Sequence, residues 1–215
     1  EKTPAEWVKD WLKNEGHSEL VEYINWGEDQ NHHTGATCAS RDIWFDLGEL
    51  ERPPIFTTAW TWNEHRVIWN DVNAVANYQF YCISANEGID RKLLAGLLNS
   101  RIVWLANEIK GRQVGGEGMN RLKTQVYEAK ELPLADPRKI DPNDRELIKD
   151  AFDNLRQKEL ELPPDAGIEQ KQEERDELDK AILRALDYEN PELKLEKLNK
   201  EVNRLVNLRR KGSGQ

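Results

Sequence analysis

Apolar residues along the chain change from a helical spacing to an extended spacing and back again. They recur at three- and four-residue steps from Trp7 to Ile24, which predicts a helical segment within residues 1–28. The polar stretch DQNHHTGATCASRD then indicates a loop. Short runs rich in β-branched and aromatic residues follow and predict the strands of a small sheet: DIWFDL, PPIFTTAWTW, HRVIWNDVNAVA and NYQFYCISA.

A leucine stripe marks the next element, for which Asp90 is a suitable N-cap and Gly111 a suitable end. The predicted helix runs from Arg91 to Ile109, and its stripe comprises Leu93, Leu94, Leu97, Leu98, Ile102 and Leu105. A short extended segment is expected around LKTQVYEAKELPLADP. Beyond Pro142 the pattern predicts charged helices, and the last one carries a seam that needs a partner helix in this chain or in a second copy: Leu195, Leu198, Val202 and Leu205.

These elements predict an α+β fold with three parts. Residues 1–30 form a helical lead-in, residues 31–140 a small mixed β-sheet domain with packed helices, and residues 141–215 a charged α-helical extension. The extension is either a spacer or docking arm, or a solvated helical hairpin. Because the chain starts at Glu1 and ends in KGSGQ, we expect it to be a piece of a longer protein.

Charge narrows the functional classes. A net charge of −9 argues against indiscriminate nucleic-acid binding, which depends on counterion release by Lys and Arg. Nucleic-acid binding depends, however, on how charge is distributed over one face of a protein. Residues 101–130 are locally basic, with six Lys or Arg against three Glu. No apolar run approaches the length of a membrane span. The two cysteines, Cys38 and Cys82, are expected to be reduced, buried thiols of a cytoplasmic protein.

Motifs for catalysis or metal binding are missing from the sequence. His32 and His33 lie near Cys38, but adjacent histidines rarely bind one ion together, so solvated loop histidines are the better interpretation. There is no phosphate-binding loop and no nucleophile elbow, and the segment GRQVGGEG lacks the strand and helix of a dinucleotide site. We therefore expect no catalytic residue, metal or cofactor in this chain.

The basic, glycine-rich loop after the leucine stripe is the best candidate site. Glycines allow close backbone approach to a ligand, Arg, Gln and Asn can read base edges, and Lys suits phosphate. The candidate DNA-binding residues are Lys110, Arg112, Gln113, Gly115, Gly116, Asn120, Arg121 and Lys123. A flexible surface hairpin with incidental charges is the alternative. Tryptophans pose a similar choice: Trp44, Trp69 and Trp104 are expected in the core, whereas Trp60 and Trp62 share a strand face that is either core or a stacking platform.

The order of YQFYCISA, LLAGLLNSRIVWL, KGRQVGGEGMNRLKTQVYEAKELPLADP and ERDELDKAILRAL resembles the C-terminal target-recognition region of adenine DNA methyltransferases, in particular the TaqI-like specificity domain of restriction–modification enzymes. Similar to that family are a Leu-Asn-Ser helix at residues 98–100, a Gly-Arg-x-x-Gly-Gly loop at 111–116 and a Leu-Pro-x-x-x-Pro exit at 132–137. The strand HRVIWNDVNAV makes Asn70 or Asn73 the equivalent of a family asparagine.

This resemblance implies a domain that binds double-stranded DNA and sets the target sequence. It also implies that an N-terminal methyltransferase domain of the same chain uses S-adenosylmethionine to methylate adenine. RPPIF is the nearest sequence to a catalytic loop, but Arg52 replaces the required acceptor, so it is interpreted as a strand entry. Two alternatives stay open: a specificity subunit of a type I restriction system, and an interaction module that dimerises through its last helix.

Overall fold

A computed structural model describes residues 2–114, 121–163 and 168–211 of the chain. The chain divides into two compact units, Glu1–Leu50 and Glu51–Gln215. The division falls at Leu50, whereas the sequence indicated boundaries near residues 30 and 140.

The first unit is built from helices α1 Pro4–Asn14, α2 Ser18–Asp29 and α3 Ala36–Ala39, with a 3₁₀ turn at His32–Thr34. Thr3 and Glu6 form a capping box that starts α1, and Gly16, with a φ of +87°, turns the chain towards α2. The core of this unit consists of Leu12, Val21 and Ile24, partly covered by Val8, Trp44 and Phe45. The run DIWFDL, expected as a strand, forms turns and bends, because its two aromatic side chains pack on this core.

The second unit contains two antiparallel sheets, and its strands are β1 Ile55–Thr58, β2 Trp60–Thr61, β3 Val67–Trp69, β4 Phe80–Ile83, β5 Arg112–Val114 and β6 Arg121–Lys123. The first sheet has the order β3-β1-β4 and the second the order β2-β6-β5. Only Ala59 separates β1 from β2, so the single run PPIFTTAWTW supplies a strand to each sheet. The α+β class is confirmed, but two small sheets replace the one predicted.

The helices of the second unit are α4 Arg91–Leu98, α5 Arg101–Lys110, α6 Val126–Ala129, α7 Pro142–Glu161, α8 Gln172–Ala185 and α9 Pro191–Lys211. The main core joins the first sheet to α4, α7 and α8 through Ile55, Val67, Leu93, Leu97, Ile148, Phe152, Leu155, Leu178 and Ile182. Where α4 crosses α7, a Cβ on Gly96 would lie only 3.1 Å from Cγ2 of Ile148. The helices beyond residue 140 therefore share the core of the sheet domain and do not form a solvated hairpin.

The predicted helix Arg91–Ile109 is in fact two helices that meet at Asn99 and Ser100. The Ser100 hydroxyl accepts a hydrogen bond of 3.3 Å from the Val103 amide and so caps α5. The Asn99 side chain bonds both backbone groups of Val67 in β3: its Oδ1 accepts from the amide at 3.2 Å and its Nδ2 donates to the carbonyl at 2.9 Å. This break keeps α4 in the main core and allows α5 to reach the second sheet.

Buried ion pairs fix α8 in place. The Arg101 amide and Nη1 donate to the Asp179 carboxylate at 2.9 and 2.7 Å, and both residues are buried. Lys171 Nζ lies 2.6 Å from Oε1 of Glu64, which precedes β3. Burial by itself raises the pKa of Glu64, but the surrounding cations, Arg175 first and then Lys171, hold it below its usual value. Pairing of this kind makes buried charge tolerable, and losing one partner is costly.

The apolar seam of α9 packs against neighbouring helices of the same chain. Trp104 on α5 forms a small core with Val202 and Val206, and Leu105 and Leu198 pack against it. The seam predicted from the sequence thus has a partner helix within the chain. Dimerisation through this helix stays a prediction.

Both cysteines are free thiols, but the expectation that they are buried is wrong. Cys82 is exposed because it lies on β4, an edge strand of the first sheet, and Cys38 is half-buried in α3. Across the described ranges, no helix has the length and apolarity needed to cross a bilayer.

Candidate functional site

The outward side of the second sheet gathers cations and tryptophans. Trp60 pairs with Lys123, and Lys123 pairs with Arg112, so these three side chains form a row across the sheet. Arg121, two residues from Lys123 on β6, projects to the same side, and Trp62, which directly follows β2, contacts it there. We call these five residues the basic face: Trp60, Trp62, Arg112, Arg121 and Lys123. Three cations lie together here in a protein whose net charge is −9.

The inward side of the same sheet is fixed to α5 through Asn107. Its Nδ2 donates to Oγ1 of Thr61 in β2 at 3.1 Å, and its Oδ1 accepts from Oγ1 of Thr124, just after β6, at 2.6 Å. All three residues are buried, as is Leu122 between them. Leu122 packs against Gly111, where a Cβ would lie 3.3 Å from the leucine side chain. One amide therefore connects α5 with β2 and β6, two of the three strands that carry the basic face.

Arg121 and Lys123 contact aromatic rings. The Arg121 guanidinium carbon lies 4.2 Å from the Trp60 ring centroid and 5.5 Å from that of Trp62. The Arg121 Nε is buried without a hydrogen-bond partner. Lys123 Nζ lies 5.0 Å from the Trp60 centroid. No carboxylate in the described part of the chain pairs with either cation.

Lys110 and Arg112, by contrast, are held by acidic side chains. Arg112 Nε donates to Oε1 of Glu128 at 2.7 Å, and its Nη2 also donates to the Tyr127 hydroxyl. Lys110 Nζ donates to the Glu131 carbonyl at 2.8 Å. The pKa of Glu128 is lowered, chiefly by the backbone amide of Gln125 and then by Arg112. Arg112 and Lys110 are therefore partly neutralised at the edge of the face.

Glu128 reaches Arg112 because residues 126–129 form the short helix α6. Gln125 and Glu128 make a reciprocal capping box at its start. From its sequence this segment is expected to be extended, and neither Tyr127 nor Glu128 is among the candidate residues. The only local signal was Glu128 at the third position of the helix, because Gln125 is not one of the usual N-cap residues.

The last helix contacts the edge of the site through Arg209. This buried guanidinium pairs with Glu108 on α5 at 3.0 and 2.9 Å and donates to the Trp62 carbonyl. Gln113 Nε2 in turn donates to the Arg209 carbonyl at 3.4 Å. Residue Trp62 is thereby tied to α5 and α9, and Gln113 lies at the border of the basic face.

Of the eight candidate residues, the structure brings Arg112, Arg121 and Lys123 together on the basic face and leaves Lys110 and Gln113 at its edges. The remaining three, Gly115, Gly116 and Asn120, lie outside the described residues. Neither tryptophan of the face is core: Trp62 is 52% exposed and Trp60 half-buried. Cations already contact both rings, so a free stacking platform is not what the structure presents.

Some of the other predictions from the sequence are confirmed and some are not. Trp104 is buried as predicted, whereas Trp44 and Trp69 are only partly buried. Asn70 closes a local loop, since its side chain donates to the Pro53 and Ala74 carbonyls and accepts from the Ala74 amide. RPPIF leads into β1, as a strand entry should.

His32 and His33 lie in a 3₁₀ turn and contact tryptophan rings, with centroids 5.4 Å from Trp26 and 6.4 Å from Trp44. They are therefore not purely solvated. Among the described residues, no group of three or more His, Cys, Asp or Glu side chains could hold a metal ion.

Comparison with known proteins gives one match. The family model of the C-terminal domain of the type II methyltransferase M.Eco57I matches residues 7–163, a span that includes both sheets. It supports the methyltransferase and restriction–modification context expected from the resemblance, and it favours a type II enzyme over a type I specificity subunit. No curated protein and no solved structure matches the chain.

Proposed function

The chain belongs to the family of C-terminal domains of M.Eco57I-type type II methyltransferases, and from this membership we propose that it binds duplex DNA and sets the target sequence of such an enzyme. The basic face is the observation that carries the proposal. It brings together Arg121 and Lys123, which no carboxylate among the described residues pairs with, while the protein as a whole is acidic. Lys and Arg bind DNA by releasing counterions from phosphate, so such a face attracts a duplex.

The net negative charge of the protein directs DNA to the basic face. A duplex that approaches elsewhere meets net negative charge and is repelled, whereas the basic face offers local attraction. This arrangement limits nonspecific binding and favours one orientation of DNA on the protein. Orientation by phosphate contacts is what a recognition domain needs before base edges can be read.

The chemistry belongs to the partner domain in this proposal. We expect an N-terminal methyltransferase domain of the same polypeptide to bind S-adenosylmethionine and to transfer the methyl group to adenine N6. This chain supplies binding and orientation of the target, in the cytoplasm, with no catalytic residue or cofactor of its own. Isotope transfer from labelled S-adenosylmethionine to DNA, followed by base analysis, tests this for the intact enzyme; label on cytosine would contradict it.

Fluorescence anisotropy of a labelled random-sequence duplex tests DNA binding by the chain itself. Lys123→Gln removes one free cation, so we expect weaker binding and a slope of log affinity against log salt that is smaller by about 0.9. Lys200→Gln, an exposed change on α9, is the matched control and should leave the slope unchanged. Equal salt slopes for the wild type and Lys123→Gln would remove the basic face from the DNA interface.

A further inference from the structure

The cations of the candidate site differ in what their donors already contact. Arg112 has its Nε and Nη2 engaged by Glu128 and Tyr127. Arg121 instead lies against two indole rings, and across the described ranges no hydrogen bond or ion pair occupies its terminal nitrogens. The two arginines share one face of one sheet, yet of the two only Arg121 has both Nη atoms without a partner among the described residues.

Contact with the tryptophans orients the Arg121 guanidinium. A planar guanidinium at 4.2 Å from one ring centroid and 5.5 Å from the next loses much of its rotational freedom. The ordering of this side chain is therefore largely complete before a ligand arrives. Because Nε is buried, the two Nη atoms at the end of this half-buried side chain are the donors left for a ligand on the outward side of the sheet.

An outward guanidinium fork suits one base in particular. Guanine presents two acceptors, O6 and N7, on its major-groove edge, and both can accept from the two Nη atoms together. Adenine offers N7 beside a donating amino group, so it can satisfy only one of these nitrogens. Lys123, an ammonium with no fork, suits phosphate instead.

We propose that Arg121 reads a guanine in the target duplex by donating from both Nη atoms to O6 and N7, while Trp60 and Trp62 hold the guanidinium plane. This inference rests on the proposed function, because it requires that the basic face binds DNA. It goes beyond it by naming one residue as the reader of one base and two tryptophans as its positioning residues. Arg112, held by Glu128, contributes charge and not base choice.

Selection from a randomised duplex pool tests the assignment with the wild-type chain, Arg121→Lys and Arg112→Lys. Both variants keep the positive charge, so phosphate attraction is retained and only the fork is lost. We expect the wild type to enrich a site with a fixed guanine, and Arg121→Lys to lose that guanine alone. Arg112→Lys changes affinity but keeps the guanine, which makes it the control on the same face.

Replacement of the fixed guanine by 7-deazaguanine removes the N7 acceptor without changing base pairing. The wild type should then bind more weakly, by up to the roughly 5- to 150-fold that a bidentate pair confers, whereas Arg121→Lys should be insensitive. A guanine retained by Arg121→Lys, or a wild type without base preference, would overturn the inference and leave DNA binding intact. A wild type that binds no duplex from the pool would overturn the proposed function itself.

Discussion

Replacement of Asn107 by leucine probes the buried amide that connects α5 with β2 and β6 of the basic face. Leucine has a similar volume but cannot bond the hydroxyls of Thr61 and Thr124, which lie 3.1 and 2.6 Å from the asparagine amide. Both threonines are buried, so the hydrogen bonds lost with the amide are at best partly replaced by water from the small cavity that Asn107 and Thr124 line.

The expected cost follows from those two contacts. A buried polar group left without its partner costs about 1–3 kcal/mol, so two such hydroxyls give about 2–6 kcal/mol. Hydroxyl rotation towards other acceptors reduces the loss, and we expect about 3 kcal/mol for Asn107→Leu. The triple change with Thr61→Val and Thr124→Val removes the stranded hydroxyls as well, and should therefore recover most of that stability.

Urea unfolding followed by far-ultraviolet circular dichroism measures both variants against the wild type. Affinity for a labelled duplex, measured in parallel, shows whether the basic face has moved. The reasoning fails if Asn107→Leu costs less than 1 kcal/mol, or if the triple variant is less stable than the single one. Either result would mean that the amide does not hold the two strands together.

Two further predictions concern buried charge. Asp179→Asn leaves the buried guanidinium of Arg101 with one fewer ionic partner and should lower the free energy of unfolding in urea by about 3 kcal/mol. Asp176→Asn changes the partly exposed partner of the same guanidinium and should lower it clearly less. Equal losses for the two variants would contradict the pairing. Burial lowers the pKa of His65 from 6.5 to about 4. The unfolded chain therefore binds a proton at a higher pH than the folded protein does, so the free energy of unfolding is highest above pH 6.5 and decreases as the pH falls towards 4. Between pH 7 and 5.5 this loss amounts to about 1 kcal/mol, and His65→Gln should abolish that part of the pH dependence in urea titrations; an unchanged slope in the variant would refute it.

Local signals in the sequence predicted most of the longer helices, but not the points at which elements break or change type. The leucine stripe from residue 93 to 105 predicted a helix correctly, yet the stripe passes through a break at Asn99 and Ser100. Hydrophobic periodicity cannot show such a break, because the two helices continue nearly the same apolar pattern. The Asn-Ser pair was the visible clue, since both side chains compete for backbone hydrogen bonds.

The high charge of the C-terminal helices did not indicate that these helices share the main core. Their many Lys, Arg, Asp and Glu residues indicated a solvated extension, but Lys171, Arg175 and Asp179 are buried. Burial of such residues depends on partners far away in sequence: Glu64 for Lys171, and Arg101 for Asp179. A single sequence gives no means of pairing them, so the shared core was not predictable.

The sequence predicts a candidate site within residues 110–123 but does not separate the roles of its residues. All the cations from Lys110 to Lys123 looked equivalent as a basic stretch. What separates them is tertiary: Glu128 on α6 reaches Arg112, whereas the pairing of β2 with β6 brings Trp60, and Trp62 just after β2, into contact with Arg121. Strand order and register, not composition, determine which arginine keeps its donors available.

The contact between Arg209 and the Trp62 carbonyl sets a lower limit on the segment that can be exchanged between related enzymes. A chimaera that receives only residues 51–140 would contain the strands of the basic face without α9, the helix whose Arg209 holds the Trp62 carbonyl at the end of β2. Grafts intended to transfer target preference should therefore include the chain through α9, with the Arg209–Glu108 pair taken from the same parent.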